Sequence, residues 1–168
     1  TAASVVLWDA ESESFSVSAS TVPHQPAQAG AERVRRKGGA SRTIVDTRRP
    51  FVTFDIRKDP HGANSLLEQF GMRAYAGVPM HAHGVVLGVL YAIDREVREY
   101  SDDDLSFLTS AASQASAALW QFRLNSSIRE ANIKLANEVA ERRRAHQGLA
   151  ASLREKEVLL REVHHRVK

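Results

Sequence analysis

Two adjacent histidines, His164 and His165, stand in the segment E-V-H-H-R-V-K at Glu162–Lys168. A neutral imidazole exchanges protons near neutral pH, and its free ring nitrogen is a nucleophile. On a helix, Glu162 three residues before His165 is close enough to receive one ring N–H and leave the other nitrogen free to attack. The plainer reading of H-H alone is two solvated histidines on a charged helix. The two readings are separated by what carries the histidines and by what surrounds them in sequence.

The carrier is a long helix. From Ser101 to Lys168 the chain has no proline and one glycine, Gly148. It opens with S-D-D-D at Ser101–Asp104, a hydroxyl N-cap followed by acids that suit the positive end of the helix macrodipole. From Leu105 to Leu119 the apolar residues Leu105, Leu108, Ala111, Ala112, Ala115, Ala118 and Leu119 recur at three and four, as on a helix packed closely against a sheet. From Ile128 the spacing alternates four and three through Ile128, Asn132, Leu135, Val139, Arg142, His146, Leu149, Leu153, Lys156, Leu160, Val163 and Val167. That spacing is a coiled-coil seam and predicts a parallel homodimer. Its polar members Asn132, Arg142, His146 and Lys156 suit a seam that shifts between packings. The alternative is a single charged surface helix. With Leu160 and Val167 at a and Val163 at d, His164 falls at the flanking e position and His165 at the outer f position. At the junction, Trp120 and Phe122 serve either the globular core or a contact between subunits.

The last sixteen residues, L-R-E-K-E-V-L-L-R-E-V-H-H-R-V-K, resemble the start of the dimerisation and phosphoacceptor helix of sensor histidine kinases, in the HWE-related subclass whose H-box reads H-R-V-K-N. The resemblance implies that the histidine directly before the arginine, His165, accepts a phosphoryl group. It also implies that this helix continues past Lys168, and that the parent protein uses ATP and magnesium and hands the phosphoryl group to a response regulator. Exposure at f favours the same histidine, and Glu162 becomes its orienting partner.

A chain of 168 residues suits one core plus an extension. No run of eighteen apolar residues and no charged-then-apolar leader is present, so nothing reads as a membrane span or secretion signal, and the pattern suits a cytoplasmic protein. Cysteine is absent, which excludes disulfides, thiolate metal sites and thioether-linked chromophores here. The net charge is +3, and from Trp120 onward eleven Lys and Arg face six Glu and no Asp. These charges interleave, as in R-E-K-E, which is the look of a solvated coiled-coil surface; no nucleic-acid partner is assigned.

Upstream, Ser4–Asp9, Ser14–Thr21 and Phe51–Asp55 read as strands, and Ala74–His81 and Val85–Ile93 as a hairpin joined by the tight turn His83-Gly84. Val22–Gly30 reads as a loop and Ala31–Lys37 as the start of a short basic helix broken by Gly38 and Gly39. Helices are expected over Ala40–Arg48, before Pro50, and over Asn64–Phe70, closed by Gly71. The order gives an α+β domain with an antiparallel sheet and flanking helices, followed by the long coiled-coil helix.

The strings D-T-R-R-P-F-V-T-F-D-I-R-K-D-P, G-M-R-A-Y-A-G-V-P-M-H-A-H-G-V-V-L-G-V-L-Y-A-I-D-R and Y-S-D-D-D-L-S-F-L-T-S-A-A resemble the GAF domain of sensory proteins, over about Ser4–Leu124. The resemblance implies a sheet with helices on its faces and a small-molecule pocket between the sheet and short crossing helices. The first helix usual in that family has no counterpart in the residues from Thr1 onward; a place for it upstream of Thr1 is expected to leave one sheet face of this segment less covered. Phe51, Phe54, Tyr75 and Met80 are the pocket candidates, or equally plain core. The ligand is unknown, since there is no cysteine for a bilin and no N-K-F-D-E string of the cyclic-nucleotide type. His24, His61, His81 and His83 invite a metal or haem reading, but only H-A-H at 81–83 has a ligand-like spacing. Beside a turn it reads as surface, and no metal or resident cofactor is assigned.

The organisation read from sequence is thus a GAF-like sensor domain over 1–124, a signalling coiled coil over 125–157 and the start of a phosphoacceptor helix over 158–168. Two functions compete: the sensory and transmitting fragment of a histidine kinase, or a non-enzymatic ligand-binding or dimerisation module with a helical tether. In neither case does the segment catalyse alone, because it holds no glycine-rich phosphate loop or acidic magnesium cluster.

Overall fold

The computed structural model describes residues 1–22 and 38–166, with backbone only at 65–66, 149–152, 154–155 and 157–166. The expected loop Val22–Gly30 beyond Val22, the short helix Ala31–Lys37, His24, and the last seam residue Val167 lie outside the described residues. Two compact units are present, Thr1–Trp120 and Gln121–Lys168.

The first unit is α+β. Its strands are β1 (Ala2–Asp9), β2 (Ser14–Ser20), β3 (Phe51–Thr53), β4 (Ala74–Ala82) and β5 (Val85–Asp94), and its helices are α1 (Ala40–Thr47), α2 (Ser65–Gln69) and the beginning of α3 (Asp102–Arg166). The strands form one antiparallel sheet in the order β2-β1-β5-β4-β3. Strand β4 lies one place from the β3 edge, and Ala74 to Met80 are buried without a break. A strand buried on both faces needs a layer on each side.

Register decides which side chains share a face. Tyr75 pairs with Ile93, Gly77 with Tyr91 and Pro79 with Val89. With Ile44 of α1, Ile56, Leu67 and Met72, the rings and branched chains of this row form one core cluster. The alternate row, Val78 and Met80 with Leu90 and Val5, packs against Leu108, Ala112, Ala115 and Leu119 of α3. Four of the seven apolar residues read in that stretch of α3 therefore meet the sheet, while Ala118 is exposed.

Local chemistry fixes the boundaries. In α1, the Gly39 carbonyl accepts the Thr43 N–H, and the helix ends at Arg48 in the left-handed region (φ 56°), whose N–H reaches the Ile44 carbonyl. Pro50 prevents continuation. The β4–β5 hairpin turns on His83 and Gly84, both with positive φ (50° and 78°), as a two-residue type I′ turn requires. Helix α3 opens with a reciprocal cap: the Asp104 N–H donates to Ser101 Oγ at 3.2 Å, and the Ser101 N–H donates to Asp104 Oδ2 at 3.0 Å. Arg98 bridges Asp94 and Asp104, tying the end of β5 to this cap.

The second unit consists of the remainder of α3. Among the described residues no helix is long and apolar enough to cross a membrane.

Candidate functional site

On the α1 side of the sheet, three aromatic rings lie in contact. Phe51 stacks on Tyr75 (centroids 6.2 Å, planes 24°), and Tyr75 meets Tyr91 edge to face (5.7 Å, 78°). Each tyrosine keeps a polar tip: Tyr75 donates to the Gly62 carbonyl at 3.0 Å, and the Tyr91 hydroxyl lies 2.7 Å from Ser41 Oγ on α1. Burial drives the Tyr75 hydroxyl well above the ordinary tyrosine pKa, so it stays neutral and can donate. Gly77 sits beneath them because a Cβ there would meet the Tyr91 ring at 2.5 Å and Ile44 at 2.7 Å.

The two ends of the segment covering this layer, from 54 to 73, are joined by the ion pair of Arg73 with Asp55. Arg73 donates from Nε and Nη2 to Asp55 at 3.1 and 2.8 Å, a two-pronged contact to a buried carboxylate. The Arg73 hydrogen bonds hold the Asp55 carboxyl below the usual carboxylate range. The Ile56 N–H donates to the Arg73 carbonyl and the Arg73 N–H to the Asp94 carbonyl, so the loop's two ends are joined to each other and to β5. At its middle, Asp59 Oδ1 accepts the His61 N–H at 2.9 Å, which forms the turn that presents the Gly62 carbonyl to Tyr75.

Of the four residues read from sequence as a pocket, the structure brings Phe51 and Tyr75 together. Phe54 lies past the end of β3 and is 51% exposed, and Met80 belongs to the opposite face, packed with Ala112 of α3. Strand β3 was expected to reach Asp55 but stops at Thr53, because Asp55 turns to Arg73 and its carbonyl takes the Lys58 and Asp59 N–H groups. Tyr91, Ser41 and Ile44 share the site with Phe51 and Tyr75, and sequence reading missed them. Alternation along β5, once registered on β4, places Val89, Tyr91 and Ile93 on the face of Tyr75.

His81 follows a register shift at Met80/His81, and His83 occupies the turn with its ring 4.8 Å from that of Trp120. Among the described residues no group of three or more His, Cys, Asp or Glu is placed to hold a metal ion.

Trp120 thus contacts its own chain's hairpin, while Phe122 is 70% exposed. Farther along α3, the seam residues Ile128, Leu135, Val139 and Leu153 are exposed on the single chain. The helix backbone carries Leu149, Leu160, Val163, Glu162, His164 and His165, whose side chains lie outside those described. Glu162 and His165 are three residues apart in continuous helix, one turn by spacing.

A protein-family model described as GAF domain matches residues 1–119. No curated protein matches the chain. Among solved structures, the chain is similar to the GAF domain from a phosphoenolpyruvate-protein phosphotransferase of Coxiella burnetii, at 16% identity and a TM-score of 0.65, covering 75% of each chain. It is similar to the GAF domain of a two-component sensor histidine kinase from Bacillus halodurans, at 14% identity and TM-score 0.63, covering 75% of this chain and 85% of that one. A domain of a putative two-component sensor histidine kinase from Sinorhizobium meliloti gives 14% identity and TM-score 0.59, covering 77% and 85%. At these identities the likeness is one of fold.

Proposed function

Because this chain belongs to the GAF domain family, a family of sensory and regulatory domains, we propose that it is the sensing and transmitting part of a two-component sensor histidine kinase. In this reading the state of the GAF unit biases the packing of two α3 helices, paired in parallel through the seam from Ile128 to Val167, and so controls phosphorylation of His165. ATP and magnesium are supplied with a kinase catalytic domain, and a response regulator takes the phosphoryl group onward. A small molecule held near the Phe51–Tyr75–Tyr91 layer is the candidate signal, and the setting is cytoplasmic.

The observation that supports this reading is the continuity of α3. One helix runs from Ala112, buried against the sheet, to the residues of the E-V-H-H-R segment. A change at the sheet that moves Ala112 has an unbroken backbone along which to reach His165. The phosphoryl transfer needs a neutral imidazole with one free nitrogen, and in this proposal Glu162, three residues earlier in the sequence, is given the role of taking the other ring N–H. The competing reading, a non-enzymatic binding or dimerisation module, leaves the specific H-box string unexplained.

The test is phosphate labelling of this chain joined in frame to a histidine-kinase catalytic domain, with labelled ATP and magnesium. The proposal predicts acid-labile label that His165→Gln abolishes, His164→Gln largely spares and Glu162→Ala slows. Label that survives His165→Gln and vanishes with His164→Gln would assign the wrong histidine, and no label at all would favour the binding module.

A further inference from the structure

The segment from 54 to 73 is a strap across the aromatic layer, and the one regular element within it is the five-residue helix α2. Its Ile56, Leu67 and Met72 belong to the core cluster of Tyr75 and Tyr91. At its two ends the strap is held by backbone bonds. The Ile56 N–H donates to the Arg73 carbonyl at 2.8 Å, the Arg73 N–H to the Asp94 carbonyl at 2.8 Å, and the Arg98 N–H to the Phe54 carbonyl at 3.3 Å. Two of these three bonds end on Asp94 and Arg98, which lie outside the strap.

The same two residues hold the start of α3 by their side chains. Arg98 donates from Nη1 to Asp94 Oδ2 at 3.2 Å and from Nη2 to Asp104 Oδ1 at 2.9 Å, and its guanidinium lies 5.1 Å from the centre of the Tyr100 ring. Asp104 gives its other oxygen, Oδ2, to the N–H and hydroxyl of Ser101, so one carboxylate both closes the helix cap and receives Arg98. Tyr100 fastens the connector to β5 instead: its hydroxyl reaches Asp94 Oδ2 at 3.0 Å and the Ala92 carbonyl at 3.3 Å. Arg98 thus touches the strap with its backbone and the α3 cap with its side chain. Clamped between two carboxylates and a ring, the guanidinium leaves little slack to absorb movement of that backbone.

We propose that residues 94–98 form a latch through which the strap and the first turn of α3 stabilise each other, with Arg98 as the positioning residue. When the strap lifts from the aromatic layer, the Phe54–Arg98 and Arg73–Asp94 bonds go with it, and the Arg98 bridge to Asp104 loses its fixed origin. Such coupling is reciprocal: whatever loosens the α3 cap loosens the strap by the same factor. This route enters α3 at its first turn and needs no movement of the sheet against Ala112. It lies wholly inside the GAF unit, so it holds whether or not His165 is phosphorylated.

Hydrogen exchange of backbone amides, read by NMR on the whole chain, tests the latch. Asp55→Asn weakens the strap's own ion pair with Arg73. It is expected to speed exchange at Leu105, Ser106 and Phe107 about tenfold, within the usual range of such couplings, while residues 115–119 of the same helix keep the parent rates. In return, Asp104→Ala should speed exchange at Ile56 and Arg73 by a similar factor. In an Arg98→Ala background Asp55→Asn should no longer reach Leu105, whereas in a Tyr100→Phe background it still should. Arg73→Lys, which keeps the charge and loses the two-pronged contact, gives a milder opening of the same pair should Asp55→Asn fail to fold. Faster exchange confined to residues 54–73 would overturn the proposal. Equal acceleration at Leu105 and Leu119 would overturn it too, since the whole unit would then have loosened, and transmission that survives Arg98→Ala would overturn the role given to Arg98.

Discussion

The imidazole of His83, at the tip of the β4–β5 hairpin, lies 4.8 Å from the Trp120 indole, with the two planes inclined by 38°. Trp120 is the last residue of the first compact unit, so this contact ties the hairpin turn to α3 where the helix leaves the sheet. The positive φ of His83 is set by the turn, which fixes the ring's origin and lets the indole settle on it.

Removing this contact should be visible in Trp120 alone. In a Trp8→Phe background, His83→Ala is expected to shift Trp120 fluorescence to the red and to cost roughly 0.5–1.5 kcal/mol, the worth of one aromatic pair. An unchanged emission maximum would mean that the rings do not meet in solution.

Three glycines should respond differently to alanine. At Gly88 a Cβ would run into the Val6 carbonyl oxygen, which the sheet holds in place, and at Gly77 it would displace the Tyr91 ring from Ser41. Both substitutions should destabilise by about 1–3 kcal/mol or more, Gly88→Ala the more severely, since backbone yields less than a ring. Gly148 has no neighbour within 4 Å and lies in helix, so Gly148→Ala should raise helical content, by up to about 1 kcal/mol in stability. Thermal melts followed by circular dichroism check all three, and a gain at Gly88 would refute the strand packing described.

Stability should fall at both ends of the pH scale for separate reasons. The Asp55 carboxyl has a lowered pKa in the folded state because of Arg73, so its contribution is present above about pH 4, where an unfolded aspartate ionises, and is lost as pH falls through the folded value. The Tyr75 hydroxyl has a raised pKa because it is buried, so its contribution is present below about pH 10 and is lost as pH rises beyond it. Arg73→Gln should therefore lower the melting temperature at pH 7 more than at pH 3. Tyr75→Phe should cost about 1 kcal/mol at neutral pH and flatten the alkaline limb. Equal losses from Arg73→Gln at pH 3 and pH 7 would contradict the ion-pair account.

Patterns that are local in the chain were legible before any coordinates. The Ser101–Asp104 cap, the His83-Gly84 turn and the sheet-packing stretch of α3 each follow from a few neighbouring residues, and each stands where expected. The aromatic layer was only half legible. Phe51 and Tyr75 belong to it, but Tyr91 enters through cross-strand register and Ser41 through the placement of α1, and neither is a property of adjacent residues. Met80, read as either pocket or plain core, is core: five residues beyond Tyr75, it falls on the other face of the strand. Phe54 depended on where β3 ends, and that was decided by Arg73, eighteen residues away from Asp55.

If helix α3 conducts the state of the GAF unit to His165, as proposed, then changing the helix length between them must change the phosphorylation of His165. In the chain joined to a kinase catalytic domain, seven residues inserted after Asn125 preserve the heptad phase, whereas three or four turn His165 relative to the sheet-packed face. The rate of His165 labelling is expected to stay close to the parent's with seven inserted residues and to change several-fold with three or four. Identical labelling rates for all the insertions would contradict it.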